Sequence, residues 1–203
     1  MKKNEAKLTG RLTDVYTLPE NPSICEAIIV CTRKSGAVDQ LPIRFPNKND
    51  LLREFQQHQD KLIAVVGEMR TYNNTDPSIA GRHKSTYLWV DGFFFDTMDA
   101  LLELNSVELE GIIVHKSELR ETPLGRYICE LIIAVSTSNN KTSYINVIVW
   151  NKTASFMADY GKIGDEVSLS GRFQSREYRK DGETRIAYEV SSSYVSVKEN
   201  GQQ

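Results

Sequence analysis

The sequence predicts an all-β protein made of two similar domains in tandem. Two observations support this prediction: short runs of alternating apolar and polar residues in both halves, and a sequence pattern that occurs twice. The 203 residues suffice for two domains of about 100 residues each. With 40% hydrophobic and 26% charged residues, the composition is that of a folded chain rather than of a disordered one.

An internal repeat divides the chain. Residues 24–29, ICEAII, reappear as residues 128–133, ICELII, and the same 104-residue offset places Gly67 on Gly171. Agreement of two distant segments in one frame is hard to obtain by chance. A period near 100 residues is too long for a solenoid and is typical of a duplicated domain.

The repeat sets the predicted domain bounds. We expect a divergent N-terminal domain over residues 1–98 and a C-terminal domain over residues 105–197. The boundary is predicted within residues 96–106, DTMDALLELNS, as a short connecting helix or turn.

Five strand patterns follow one another in the second half, because apolar residues recur there at a period of two. Their predicted buried faces are Val107, Leu109 and Ile113; Tyr127, Cys129, Leu131, Ile133 and Val135; Ile145, Val147 and Val149; Val167, Leu169 and Phe173; and Ile186, Tyr188 and Val190. The first half follows the same order.

A short helix is predicted between the third and fourth strands of each half. In the second half it is capped by Thr153 and ends at Gly161, and in the first half Asp50 is the expected cap. Five strands with a helix in this place are the layout of an OB-fold, a small Greek-key barrel. The predicted fold is therefore two tandem five-stranded OB-fold barrels.

Cysteines and charge narrow the class of protein. Cys25, Cys31 and Cys129 lie in β-branched apolar runs without a CxxC pair, which favours buried reduced thiols. A net charge of -2 argues against coating of duplex DNA through bulk electrostatics.

The first ten residues lack an apolar signal sequence and no apolar run reaches about 18 residues, so we expect a cytoplasmic protein that does not contact membranes.

Catalysis is not expected. His58, His83 and His115 are scattered and lack neighbours at metal-ligand spacing. The sequence has no phosphate-binding loop of the GxxxxGK[ST] type and no GxSxG nucleophile motif. We therefore predict a binding protein without a metal or another cofactor.

Aromatic side chains lie on the outward face predicted for the third strand of the second half. Because Ile145, Val147 and Val149 supply its core face, Tyr144 and Trp150 point the other way. Such rings could stack on unpaired bases, cover the edge of a barrel or pack in a dimer interface.

The fourth strand combines cations with an aromatic ring. Arg172, Arg176 and Tyr178 share the parity opposite Phe173, and the strand then runs into residues 179–182, RKDG, a predicted hairpin turn. Flat rings for bases and cations for phosphates are what a single strand requires of its binder. Arg179 and Lys180 extend this cationic ribbon.

Residues 105–197 resemble the bacterial single-stranded DNA-binding protein family. The resemblance is carried by LEGII near the start, by the loop Leu119–Gly125, by YINVIVW followed by Asn151 and Lys152, and by GRFQSREYRKDGETRIAYEV. It implies base stacking by Tyr144 and Tyr178 and DNA contact by Trp150. Arg120 and Arg126, in and beside the loop, join the predicted DNA-binding residues.

The first half resembles the family weakly, through the internal repeat. It retains Arg70 and Tyr72 as predicted DNA contacts, while Pro42 and Pro46 suggest that its third strand is an edge. An insert is expected around residues 76–85. We therefore expect the second half to supply most of the affinity.

The resemblance implies sequence-tolerant binding and protection of single-stranded DNA during replication, recombination or repair. The resemblance also implies a homodimer with four barrels, as in members of the family that carry two barrels in one chain. The family usually ends in an acidic tail that recruits repair proteins, whereas this sequence ends at residues 198–203, KENGQQ, so we do not expect recruitment through such a tail. The alternatives are a replication-restart accessory protein that contacts other proteins, and an RNA-binding or assembly module.

Overall fold

The computed structural model describes residues 3–73, 84–95, 104–180 and 182–198, which are mostly β-strand. The elements are β1 (Asn4–Thr17), β2 (Ile24–Thr32), β3 (Val38–Pro46), α1 (Leu51–Gln57), β4 (Leu62–Asn73), β5 (Lys84–Phe95), β6 (Asn105–Lys116), β7 (Arg120–Glu121), β8 (Tyr127–Ser136), β9 (Thr142–Trp150), α2 (Asn151–Tyr160), β10 (Glu166–Lys180) and β11 (Glu183–Val197). Each half carries five long strands with a helix between the third and the fourth, as the sequence predicts. Within these ranges, neither helix has the length and apolar character needed to cross a membrane.

The strand pairings of each half form a closed ring. β1 pairs with β2 and β4, β2 continues to β3, and β5 joins β3 in parallel and β4 antiparallel. In the second half β6, β8, β9, β11 and β10 repeat this ring. Each ring encloses apolar side chains, with Phe45 and Phe55 fully buried in the first half and Phe173 in the second.

An antiparallel pairing of β1 with β6 joins the two halves into one 11-stranded sheet. Asn4 lies opposite Leu109, Ala6 opposite Val107 and Leu8 opposite Asn105. Each half therefore contributes an asparagine, a small apolar residue and a leucine at alternate positions. The pairing has local two-fold symmetry, centred between Ala6 and Val107.

Two asparagines continue the hydrogen-bonding ladders where neighbouring strands diverge. The last pair of β6 and β10 is Val107 with Gly171. Beyond it, Asn105 Nδ2 donates to the Phe173 carbonyl at 2.7 Å, and Asn105 Oδ1 accepts from the Phe173 N–H at 2.8 Å. Asn4 makes the same two bonds to Met69, at 3.1 and 2.9 Å.

Further hydrogen bonds across the junction repeat with the 104-residue offset of the sequence. The Thr71 N–H donates to Ser143 Oγ at 3.2 Å, and at the equivalent positions the Ser175 N–H donates to Asp39 Oδ1 at 2.8 Å. The two halves therefore bind each other through equivalent strands, β4 against β9 and β10 against β3.

Three strand details differ from the sequence prediction. Tyr127 was expected on a buried face but is exposed, because it begins β8 and pairs with Glu121 of the short β7. Ile186 is 48% exposed, since the β10–β11 hairpin extends past the core. β3 is an edge strand only in part: it pairs with β2 along its length, and with β5 only at Ile43 and Arg44, between the two prolines.

The helix ends also differ in detail. Trp150, not Thr153, is the N-cap of α2, and the Thr153 hydroxyl instead donates to the Ser193 carbonyl at 2.7 Å. Asp50 is the N-cap of α1, although its side chain makes no capping hydrogen bond. Gly161 ends α2 as predicted.

Some sequence predictions concern residues beyond those described. Residues 96–103 of the predicted connecting segment lie outside the described residues, as do residues 76–83 of the predicted insert. The rest of the connecting segment includes Asn105 and Ser106, which belong to β6. The three cysteines are buried and form no disulfide, as expected.

Replacement of Asn105 by Ala tests the ladder extension. Because the buried Phe173 N–H and carbonyl would both lose their partner, we expect Asn105→Ala to lower the free energy of unfolding by about 1–3 kcal/mol. Urea denaturation measures this change. Ser106→Ala, at the next position of β6, is the matched control, and equal stability of the two variants would contradict the role of the Asn105 amide.

Candidate nucleic-acid interface

A polar groove opens where the second half meets the first. Its volume is about 710 Å³, and its lining includes four arginines, five serines and Trp150. Arg126, Arg172 and Arg176 come from the second half, and Arg33 comes from the turn between β2 and β3 of the first. No carboxylate belongs to this lining, which is drawn from the described residues.

Arg33 is held in place by a buried carboxylate. Its Nε and Nη2 donate to the two carboxylate oxygens of Asp39 at 2.6 and 2.5 Å, and Nη2 also donates to the Ser175 carbonyl at 3.1 Å. The Asp39 hydrogen bond raises the pKa of Arg33 above its usual value. Because Asp39 is fully buried, Arg33 is fixed at the junction of the halves.

Arg172 has much weaker support. Its Nη2 donates to Gln174 Oε1 at 3.3 Å, and its buried Nε has no hydrogen-bond partner. Burial lowers the pKa of Arg172, and the neighbouring Arg33 lowers it further. Among the described residues, no carboxylate pairs with this guanidinium. Arg172 and Arg33 thus place two like charges in one groove.

Arg176 links the groove to the hairpin. Its Nε and Nη2 donate to the buried Glu189 carboxylate at 3.0 and 3.1 Å, and these hydrogen bonds raise the pKa of Arg176. The Arg176 guanidinium carbon lies 5.9 Å from the centre of the Tyr178 ring. The predicted neighbours on β10 therefore lie along one surface.

Trp150 supplies the ring of the groove. It ends β9, and its Nε1 donates to Ser191 Oγ at 2.9 Å, which fixes the half-buried indole beside Arg172. Arg126, just before β8, also lines the groove and has no carboxylate partner among the described residues. The groove thus combines one aromatic ring with four guanidinium groups.

Outside the groove lie four other predicted residues of the second half, Tyr144, Tyr178, Arg120 and Arg179. Tyr144 is 39% exposed, and its backbone N–H donates to Thr71 Oγ1 of the first half at 3.1 Å. Arg120 pairs with Glu130 at 2.5 Å. Arg179 is exposed near the hairpin end, and the side chain of Lys180 lies outside the described part of the structure.

The predicted contacts of the first half are engaged by neighbouring side chains. The guanidinium carbon of Arg44 lies 3.8 Å from the centre of the Tyr72 ring and 4.7 Å from that of Tyr87. Arg44 is itself buried and bonded to Glu26 at 2.6 Å. One face of the Tyr72 ring is therefore covered by a cation of the same domain.

Arg70 is engaged in the same way. Its Nε donates to Glu68 at 2.6 Å, its guanidinium carbon lies 4.3 Å from the centre of the Trp89 ring, and its Nη2 donates to Ser138 Oγ of the second half at 3.2 Å. Both predicted contacts of the first half are thus engaged by charged neighbours, whereas Arg172 and Arg126 have no carboxylate partner among the described residues.

Sequence reasoning did not identify Arg33. The available signal was the basic pair Arg33–Lys34 before Gly36, in the turn between the second and third strands. That signal is weak because a cation in a turn is usually only solvated. Its role depends on the contact between the halves, which strand alternation does not reveal.

Comparison with known sequences places the second half in a family. Residues 104–197 match the sequence model of the single-strand binding protein family. Single-stranded DNA-binding protein 2 of Streptococcus agalactiae serotype V is 30% identical over 102 residues, which are 47% of this chain and 78% of the relative. The single-stranded DNA-binding protein of Clostridium tetani is 34% identical over 105 residues, 48% of this chain and 72% of the relative.

A solved structure resembles the whole chain. The wild-type single-stranded DNA binding protein from Thermus aquaticus superimposes with a TM-score of 0.70 at 19% identity, over 100% of this chain and 96% of that one. A deletion mutant of the same protein gives a TM-score of 0.70 at 18% identity. The fold likeness therefore extends over both halves, beyond the sequence match. The chain belongs to the single-strand binding protein family.

Proposed function

We propose that this protein binds single-stranded DNA with little sequence preference and protects it during replication, recombination or repair. The observation that carries the proposal is the groove in which Trp150 lies among four arginines with no lining carboxylate. An exposed single strand offers unpaired bases for stacking and phosphates for cations. The relatives' names state the same ligand.

The proposed architecture is two tandem OB-fold barrels, over residues 1–98 and 105–197. The closed ring of pairings in each half supports it, as does the helix between the third and fourth strands. Three buried free cysteines suit a reducing compartment, and we propose that the protein acts in the cytoplasm.

The proposed DNA surface consists of the groove, the β10–β11 hairpin, and Tyr144 and Arg120 elsewhere in the second half. Its residues are Tyr144, Trp150, Tyr178, Arg172, Arg176, Arg179, Lys180, Arg120 and Arg126. Arg70 and Tyr72 would contribute less, because internal contacts with Glu68 and Arg44 must be displaced before DNA can use them. The two halves therefore contribute unequally.

Titration of labelled oligo-dT with the full chain, followed by fluorescence anisotropy, tests the proposal. We expect tight binding that weakens as salt increases, since cations that contact phosphates release counterions. Absence of binding at micromolar protein and low salt would contradict the proposal and favour a protein-contacting accessory role.

Tyr178 is predicted to provide a stacking surface. We expect Tyr178→Ala to cost about 1–3 kcal/mol of oligo-dT affinity, with little change in the slope of log affinity against log salt, because no phosphate contact is lost. Tyr160→Ala is the matched control, since Tyr160 is 67% exposed at the far end of α2. Tyr72→Ala should reduce affinity less than Tyr178→Ala does. Equal affinity of the Tyr178 and Tyr160 variants would show that the hairpin does not contact DNA.

Arg126 is predicted to contact phosphate. Because one fewer counterion is released, Arg126→Ala should lower the salt slope by about 0.7. Arg176 is a poorer test, since its removal leaves the buried Glu189 without its main cation. The control is Arg53→Ala, because Arg53 is an exposed arginine on α1. If the salt slope fell equally in both variants, a specific contact at Arg126 would be contradicted.

We also propose a homodimer that presents four barrels. The tandem duplication supports it, because the chain already joins two equivalent halves through β1 and β6. Sedimentation equilibrium at micromolar protein should give twice the chain mass of 23.0 kDa. A single-chain mass under these conditions would rule out the dimer.

A further inference from the structure

Equivalent positions of the two halves have diverged in charge at the junction. The 104-residue offset that relates the repeats places Glu68 of β4 on Arg172 of β10. Glu68 faces the turn at Ser138 of the second half, and Arg172 lies in the groove with Arg33 of the equivalent turn. The duplicated chain thus holds an anion at one of these sites and a cation at the other.

The Glu68 site is satisfied from within the protein. Its carboxylate accepts from the Ser138 N–H at 2.8 Å and from Ser138 Oγ at 3.0 Å, and it pairs with Arg70. The carboxylate therefore has both hydrogen bonds and a counter-charge.

The Arg172 site lacks this internal compensation. A buried donor without a partner lowers the stability of the folded state, and a charged donor does so more strongly. The Arg172 Nε is such a donor, and Arg33 in the same groove adds repulsion, which the charge of Asp39 offsets in part. Arg33 donates from Nε and Nη2 to Asp39, and its Nη1 makes no hydrogen bond among the described residues. The Nη1 of Arg172 likewise makes no hydrogen bond among these residues, so each guanidinium has a donor available for an anion.

We infer that Arg172 and Arg33 together bind one backbone phosphate of single-stranded DNA, so that the first half contributes a cation to the DNA site of the second. This inference rests on the proposed function and adds a site at the junction to it. The forked guanidinium matches a phosphate group, which can accept from two arginines at once.

The surroundings favour a nucleotide chain over a lone ion. A volume of about 710 Å³ greatly exceeds that of one phosphate group, and the indole of Trp150 lies in the same groove. A base stacked on Trp150 would place its own phosphate near the arginines. Asp39 acts as a positioning residue, because it orients Arg33 without lining the groove.

Four full-length variants test the shared phosphate site by oligo-dT anisotropy over a range of salt concentrations. Arg172→Gln should weaken binding about tenfold and lower the salt slope by about 0.7. Arg172→Lys keeps the positive charge but lacks the paired N–H donors of the guanidinium, so it should weaken binding but retain the salt slope. Asp39→Asn keeps one side-chain oxygen that can accept from Arg33 but removes the negative charge, so it should tighten binding and steepen the slope. The double variant Arg33→Gln/Asp39→Asn should remove that gain and bring the slope below that of the wild type.

Arg53→Gln is the matched control, with the same loss of charge on a remote helix. Thermal unfolding of each variant distinguishes a variant that fails to fold from one that has lost a DNA contact. In the double variant, the two introduced amide side chains at positions 33 and 39 can hydrogen-bond to each other. Wild-type slopes in both Arg172→Gln and the double variant would overturn the inference while leaving the proposed function intact. Failure of the wild-type protein itself to bind oligo-dT would contradict the proposed function and the inference with it.

Discussion

The antiparallel pairing of β1 with β6 is the constraint on which the rest of the structure depends. It aligns the two halves about a local two-fold centre between Ala6 and Val107, so that β10 meets β3 and β4 meets β9. Asn4 and Asn105 hold the strands that diverge from this pairing. Without that alignment, Arg33 and Arg172 would not face the same groove.

Charge is distributed unevenly across the junction. The carboxylates of Asp39, Glu68 and Glu189 are buried and bonded from inside, whereas guanidiniums line the groove. A chain with a net charge of -2 can therefore present a groove lined by four arginines, of which Arg172 and Arg126 have no carboxylate partner among the described residues. Local arrangement, not net charge, determines what such a surface attracts.

Alternation along the strands predicted much of the fold and part of the site. It placed Phe173 in the core, with Arg176 and Tyr178 on the other parity of β10, because a strand's own periodicity is a local property. The contact between Arg44 and Tyr72 could not be predicted in this way, since the two residues lie on β3 and β4, which are not neighbours in the sheet. The exposure of Ile186 was missed because alternation does not show where a hairpin leaves the core.

The two tryptophans occupy contrasting environments, with a consequence for intrinsic fluorescence. Trp89 lies beneath the guanidinium of Arg70, which is itself paired with Glu68, so its surroundings are fixed by the protein. Trp150 lines the open groove and is held by a single hydrogen bond to Ser191. A change in indole emission when the groove is occupied therefore reports on Trp150, while Trp89 contributes a constant background.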